Sequence, residues 1–177
     1  MGRLRFYNIQ KNNKLKAMNR LTLLRHAKSS WKKQGLLDIQ RPLNARGLLD
    51  APLMGRVCEQ HLPAPDLVLL SPALRTRETV RLFLEAWGLP DTKLLALDQY
   101  YLADQEEWLK AIRSWADKVD HLILCGHQPG LGNLASWICQ DFDHEMPTTT
   151  VASFLIGDEL IRDSGIPDFV GCPRDYK

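Results

Sequence analysis

Three times along this chain, a short apolar run ends in residues able to grip an oxyanion, and a helical pattern follows. The runs are Leu21-Thr-Leu-Leu24, Leu67-Val-Leu-Leu70 and Leu122-Ile-Leu-Cys125. Arg25-His26 follows the first, Ser71-Pro72-Ala73-Leu74-Arg75 the second, and Gly126-His127 the third. Further apolar runs at 94–97 and 151–156, with helical patterns at about 44–60, 72–87, 105–118 and 130–140, complete an alternation of strands and helices. That alternation predicts an α/β fold. The runs show little polar–apolar alternation, so both faces of the sheet must be covered: a three-layer sandwich with a mostly parallel central sheet. In such sheets ligands bind outside the carboxyl ends of the strands. Arg25, His26, Arg75 and His127 all fall there.

The helical segments carry their own signals. Ser71 and Pro72 suit the N-cap and first position of a helix over 72–87, which places Arg75 in its first turn. Leu74, Val80, Leu82, Phe83, Leu84 and Trp87 give that helix an apolar face, and Gly88 closes it. The segment 44–60 contains Pro52, which lacks an amide donor and predicts a break or kink. Trp108, Trp115 and Trp137 read as helix core or edge, and Thr148, Thr149 and Thr150 as strand formers before the last strand.

Composition narrows the class. The 177 residues suit one domain over 18–177, preceded by a basic extension over 1–17 that reads as mobile, with Met18 a candidate natural start. That extension holds five basic residues and no acid, leaving 18 basic against 21 acidic residues in the rest. The net charge of +2 therefore comes from the extension and does not predict a nucleic-acid-binding fold. No apolar run is long enough for a membrane span, and Phe6-Tyr-Asn-Ile-Gln is too short and polar for a signal peptide. Cys58, Cys125, Cys139 and Cys172 lack paired or metal-binding spacing, which predicts free thiols in a reducing, cytoplasmic compartment. Cys125, inside an apolar strand two residues before His127, reads as an inert core thiol. No dense acidic or histidine cluster suggests a metal, and no cofactor is expected.

Arg25-His26-Ala27, Ser71-Pro72 followed three residues later by Arg75-Thr76, and Gly126-His127 together resemble the histidine phosphatases, in the branch related to phosphoglycerate mutases. Ala27 stands where that group usually has glycine. Asp38-Ile-Gln-Arg41-Pro42-Leu43-Asn-Ala-Arg-Gly47 and the short length resemble the SixA-type phosphohistidine phosphatases within it. The likeness runs from about Met18 to near the C-terminus. It implies a phosphoglycerate mutase-like fold and a metal-independent phosphatase. It also implies that His26 is the nucleophile, forming a phosphohistidine intermediate that water hydrolyses. Arg25, Arg75 and a protonated His127 would bind the phosphoryl oxygens. The tautomer of His26 would be fixed by a backbone carbonyl.

Arg41 reads as a pocket residue, a contact to a protein substrate, or one half of a structural salt bridge. Lys28 and Asn133 are candidates for the pocket mouth. For a proton donor to a leaving oxygen, Asp98 at the end of the run 94–97 is the candidate, against the plainer reading of a loop aspartate. The weakness of that candidate favours phosphohistidine in a protein as substrate. The alternatives are a phosphatase of small phosphomonoesters and a phosphate-binding module without turnover. With no long inserted cap, the site should be open and shallow. Oligomeric state is not legible.

Overall fold

A computed structural model of the chain describes residues 18–32, 34–142, 145–157 and 159–177. The expected extension over 1–17 lies outside the described residues. Six strands, β1 (Arg20–Arg25), β2 (Leu67–Leu70), β3 (Leu94–Ala96), β4 (His121–Gly126), β5 (Val151–Leu155) and β6 (Ile166–Gly171), form one sheet in the order β3-β2-β4-β1-β5-β6. The first four are mutually parallel, while β5 runs antiparallel to β1 and β6 antiparallel to β5. Helices α1 (Ala45–His61) and α2 (Leu74–Ala86) cover one face, and α3 (Gln105–Trp115) and α4 (Gly130–Ile138) cover the other. The mixed α/β sandwich expected from the apolar runs is the fold observed.

Successive strand residues point to opposite faces. Leu21, Leu23, Leu69, Leu122 and Leu124 pack with Trp108, Ile112, Leu131 and Leu134 on one side. Leu24, Val68, Leu70, Ile123 and Cys125 pack with Met54, Phe83 and Leu84 on the other. Burying both faces removes water from the strand interior and leaves only strand ends and loops for polar chemistry. Trp108 is fully buried and stacks on Tyr100, with ring centroids 4.9 Å apart. Cys125 is fully buried, and burial pushes its thiol well above the ordinary range, so the inert reading holds.

One polar element lies inside the α1/α2 side. His121 is buried at the start of β4, its Nδ1 3.0 Å from the Pro63 carbonyl and its Nε2 2.9 Å from the Thr22 hydroxyl. Burial lowers its pKa from 6.5 to about 4. The unfolded chain takes up a proton near pH 6.5 that the folded chain refuses, so this stability is present above 6.5 and is lost as pH falls toward 4. The expected loss is on the order of 3 kcal/mol, read as a drop in the urea midpoint between pH 7 and pH 4.5. A His121→Gln variant should show a shallower drop.

The structure corrects several expectations. α2 begins at Leu74 with Ala73 as N-cap; Ser71 and Pro72 lie before it. The Ser71 hydroxyl sits 2.7 Å from His127 Nε2 and takes the Ala73 amide at 3.3 Å. α1 is unbroken from Ala45 to His61 across Pro52. The bond lost there is to the carbonyl of Leu48, which lies on the exposed side of the helix. Gly55, on the buried side, sits so near the Phe83 carbonyl that a Cβ would lie 2.2 Å from it, so α1 packs closely on α2. Thr148–Thr150 form a turn before β5, not part of it; Thr149 has φ of +67° and its amide donates to the Arg25 carbonyl at 3.1 Å. Strand β6 had no apolar signal because it is an edge strand whose Ile166, Pro167 and Asp168 are exposed.

The start of α1 presses on the loop after His26. Asn44 caps the helix by accepting from the Gly47 amide at 2.9 Å, while its own amide donates to the Lys28 carbonyl at 2.9 Å. A Cβ on Gly47 would lie 2.3 Å from that same carbonyl oxygen. Gly47→Ala is therefore expected to lower stability by roughly 2 kcal/mol and to reduce activity by displacing the loop, as read by urea melts and phosphate release.

Candidate active site

The register of the central strands builds the site. Arg25 of β1 pairs with Gly126 of β4, so His26 and His127 leave adjacent strand ends at the same level. Their ring centroids lie 4.9 Å apart. β2 lies on the other side of β4, and the turn after it carries Arg75 into the same place from the first turn of α2. The result is a cleft of about 440 Å³ lined by Arg25, His26, Arg41, Arg75, His127 and Asp38, with Trp31, Leu102, Gln128 and Thr148 among the other walls. The structure thus brings together Arg25, His26, Arg75, His127 and Arg41. Lys28 also lines the cleft, whereas Asn133 lines a neighbouring hollow that shares Arg25.

His26 has a defined tautomer. Its Nδ1 lies 2.8 Å from the Ala27 carbonyl, to which only an N–H can donate, so Nε2 keeps its lone pair. The small residue at Ala27 is fully buried, and its amide donates to the Thr79 hydroxyl of α2 at 2.9 Å. Burial lowers the His26 pKa from 6.5 to about 4, despite the bond to Ala27, and the Arg75, Arg25 and Arg41 cations add to the lowering.

His127 departs from the expected imidazolium. Burial lowers its pKa to about 3, helped by His26 and Arg75. Arg75 Nη2 lies 3.4 Å from His127 Nδ1 and can only donate. The ring proton therefore sits on Nε2 and points to Ser71 Oγ. Burial and the neighbouring cations favour the neutral ring over the imidazolium, against the opposing pull of the Asp38 carboxylate.

Asp38 is the carboxylate that the tertiary structure delivers to the cleft. It accepts from Arg75 Nη2 at 2.9 Å, Arg41 Nη1 at 2.8 Å and the Tyr101 hydroxyl at 2.7 Å, and its carbonyl takes Arg75 Nη1 at 2.6 Å. Burial alone would raise its pKa, but these donors outweigh it and hold the carboxyl at about 2. Asp38 aims Arg75 and cannot keep a proton at neutral pH. Arg41 also reaches Ser29 Oγ at 2.7 Å and the Ser30 carbonyl at 3.1 Å, and it stacks 3.2 Å from the Trp31 ring centroid. Both readings of Arg41, pocket wall and salt bridge, are therefore realised.

Asp98 is not brought in. It is exposed at the start of a 3-10 turn, and the cleft walls do not include it. Tyr101, just after that turn, is the residue that reaches the site. We expect Asp98→Asn to change turnover less than about twofold on any phosphorylated substrate, in steady-state assays.

Arg25 donates to the Met146 carbonyl at 2.5 Å. Its Nε is buried without a hydrogen-bond partner among the described residues, and burial lowers the pKa of the guanidinium. Sequence reasoning missed Tyr101, Trp31, Thr148 and Ser71. Aromatic, threonine and serine residues in loops carry no spacing signal, because their approach depends on how distant turns fold. Among the described residues no cluster of three or more His, Cys, Asp or Glu side chains could hold a metal, and no helix is long and apolar enough to cross a membrane.

Two histidines and two arginines converge beside the ends of parallel strands, an arrangement suited to an oxyanion, and the chain belongs to the histidine phosphatase superfamily, branch 1, whose model matches residues 21–124. It is a phosphatase of that superfamily. An uncharacterised Mycobacterium tuberculosis protein is 36% identical over 112 residues, covering 63% of this chain and 67% of that protein. Among solved structures, a candidate SixA phosphohistidine phosphatase from Agrobacterium tumefaciens has a TM-score of 0.73 at 27% identity, covering 78% of this chain and 92% of that one. The protein histidine phosphatase SixA complexed with tungstate has a TM-score of 0.77 at 20% identity, covering 89% and 99%. A mycobacterial glucosyl-3-phosphoglycerate phosphatase complexed with VO3 has 0.60 at 15%, covering 85% and 98%. The last two show likeness of fold.

Proposed function

We propose that the chain hydrolyses phosphohistidine in a protein substrate through a covalent intermediate on His26. The observation that carries this reading is the state of Asp38. Among the described residues it is the one carboxylate lining the cleft, and it is ionised and clamped. An alkoxide leaving group needs a proton from such a group, and Asp38 has none to give. A phosphohistidine whose distal ring nitrogen is protonated departs as neutral imidazole and needs no enzyme acid. The likeness to the Agrobacterium tumefaciens protein supports the same reading.

The chemistry follows from the side chains. The Nε2 lone pair of His26 attacks phosphorus in line; the new P–N bond forms as the bond to the leaving imidazole breaks. Arg25 and Arg75 offset the charge on the three phosphoryl oxygens. The arriving dianion also supplies the counter-charge that His127 lacks, so His127 takes up a proton with the substrate and becomes a further donor. Water then attacks phosphorus and the P–Nε2 bond breaks. One water proton stays on the transferred oxygen and the other passes to phosphate or solvent. The cations in this scheme are side chains, so it requires no metal.

The test compares phosphate release from a phosphohistidine-bearing protein domain and from an aryl phosphate. Fast release from the domain that disappears in His26→Ala is the expected result. Release from the aryl phosphate alone would move the function to small esters. Binding of phosphate without release from either would indicate a binding module.

A further inference from the structure

Beside the His26 cleft lies a second hollow of about 310 Å³ that shares Arg25, Lys28 and Thr148 with it. Among the described residues five cationic side chains line it, Arg25, Lys28, Arg46, Arg174 and Lys177, and the one acidic side chain in its lining is that of Asp50. They come from β1, the loop after it, α1, the C-terminal turn over 173–176 and Lys177 just after that turn, so the cluster is made by the tertiary fold.

Asp50 is the fixed point of this hollow. Its side chain is only 3% exposed, takes Lys177 Nζ at 2.6 Å and lies 3.6 Å from Arg46 Nε. Arg46 Nη2 in turn donates to the Thr148 hydroxyl at 3.1 Å, in the wall common to both cavities. A buried carboxylate requires cationic partners, and Asp50 has two of the five, Lys177 and Arg46, whose combined charge its single negative charge only half offsets. The remaining positive charge is gathered at one place, with no second acidic side chain in the lining among the described residues. Like charges held together raise the free energy of the folded chain and create a strong local attraction for anions. Lys28 and Arg174 are exposed there, where an incoming group can reach them.

We propose that this hollow is a second anion subsite, holding a carboxylate or phosphate borne by the same substrate molecule whose phosphoryl group enters the His26 cleft. The proposal deepens the function above and rests on the His26 cleft being the phosphoryl site. It selects substrates with two anionic groups, one on each side of Arg25. Two sources offer that chemistry: a phosphohistidine beside an acidic residue in a protein, and a small molecule with two phosphate groups.

Binding that needs no turnover tests the subsite first. Calorimetry compares 1,4-butanebisphosphonate with butylphosphonate, on the wild type and on a double variant carrying Arg46→Gln and Arg174→Gln. The wild type should bind the bisphosphonate about tenfold more tightly than the monophosphonate, and the double variant should lose that preference while keeping its monophosphonate affinity. Absence of a preference in the wild type, or its survival in the double variant, overturns the proposal. An equal loss for both ligands overturns it too, because it would mean that the two arginines only support the fold; a thermal melt reports that case independently. Phosphohistidine peptides with Glu or Gln at the following position then separate the sources. A KM about tenfold lower for the Glu peptide, abolished by the double variant, assigns an acidic protein segment. Equal KM values with the bisphosphonate preference intact assign a small bisphosphorylated molecule. If no phosphohistidine peptide is hydrolysed, the proposed function falls while the calorimetry still decides the subsite.

Discussion

Replacing His26 by alanine should reduce phosphate release at least about a thousandfold while leaving a folded protein. The expectation rests on Nε2, the nitrogen left with a lone pair once Nδ1 is committed to the Ala27 carbonyl. A rapid quench into alkali, which preserves phosphoramidates, should trap phosphorylated wild type and no labelled variant. Circular dichroism of the variant separates a lost nucleophile from a lost fold. Retention of more than a tenth of the wild-type rate would remove His26 from the chemistry. The pH dependence gives a second check on the same atom. With the His26 pKa lowered to about 4, the nucleophile stays neutral as pH falls from 7 to 5. Single-turnover transfer to His26 should therefore persist through pH 5.5, where an ordinary histidine of pKa 6.5 would be mostly protonated.

Arg75→Lys should lower kcat/KM by about a hundredfold or more, although the charge is kept. Arg75 is buried and its guanidinium performs several tasks at once. Nη1 reaches the Asp38 carbonyl, and Nη2 reaches both the Asp38 carboxylate and His127 Nδ1. The fork is thereby turned and locked before substrate arrives. A lysine ammonium is a point charge that cannot span these partners and a phosphoryl oxygen together. Its loss also leaves Asp38 with Arg41 and Tyr101 alone, and an imperfectly paired carboxylate would then stand in a cleft meant for an anion. The check is steady-state kinetics beside phosphate or vanadate inhibition: both should weaken. An unchanged inhibition constant with lowered turnover would assign Arg75 to the transition state and not to ground-state binding.

Much of the site was legible because the relevant side chains sit at strand ends. Arg25-His26 and Gly126-His127 each directly follow an apolar run, and a parallel sheet puts the ends of such runs on one edge. Arg75 was legible for the same reason, although its helix starts two residues later than Ser71 and Pro72 suggest. Ser71 resembled a cap in the sequence, but its hydroxyl faces His127 across β2 and β4. Asp98 lies outside the cleft because it is exposed at the start of its turn, and it is the Tyr101 hydroxyl, just after that turn, that reaches Asp38.

The sequence by itself determined which residues are apolar enough to make buried strands, and hence a covered sheet with its chemistry at one edge. It determined this because burial of continuous apolar runs depends on composition and period, which are local properties. The tertiary structure alone decided what Asp38 does. The aspartate stands twelve residues after His26, thirty-seven before Arg75 and sixty-three before Tyr101, yet touches Arg75, Arg41 and Tyr101. It also decided the antiparallel edge formed by β6, the neutrality of His127 and the gathering of Lys28, Arg46, Arg174 and Lys177 around Asp50. Each of these depends on distances between loops remote in sequence. Electrostatic free energies vary with those distances and with the water left between the groups, and neither quantity is written in local residue order.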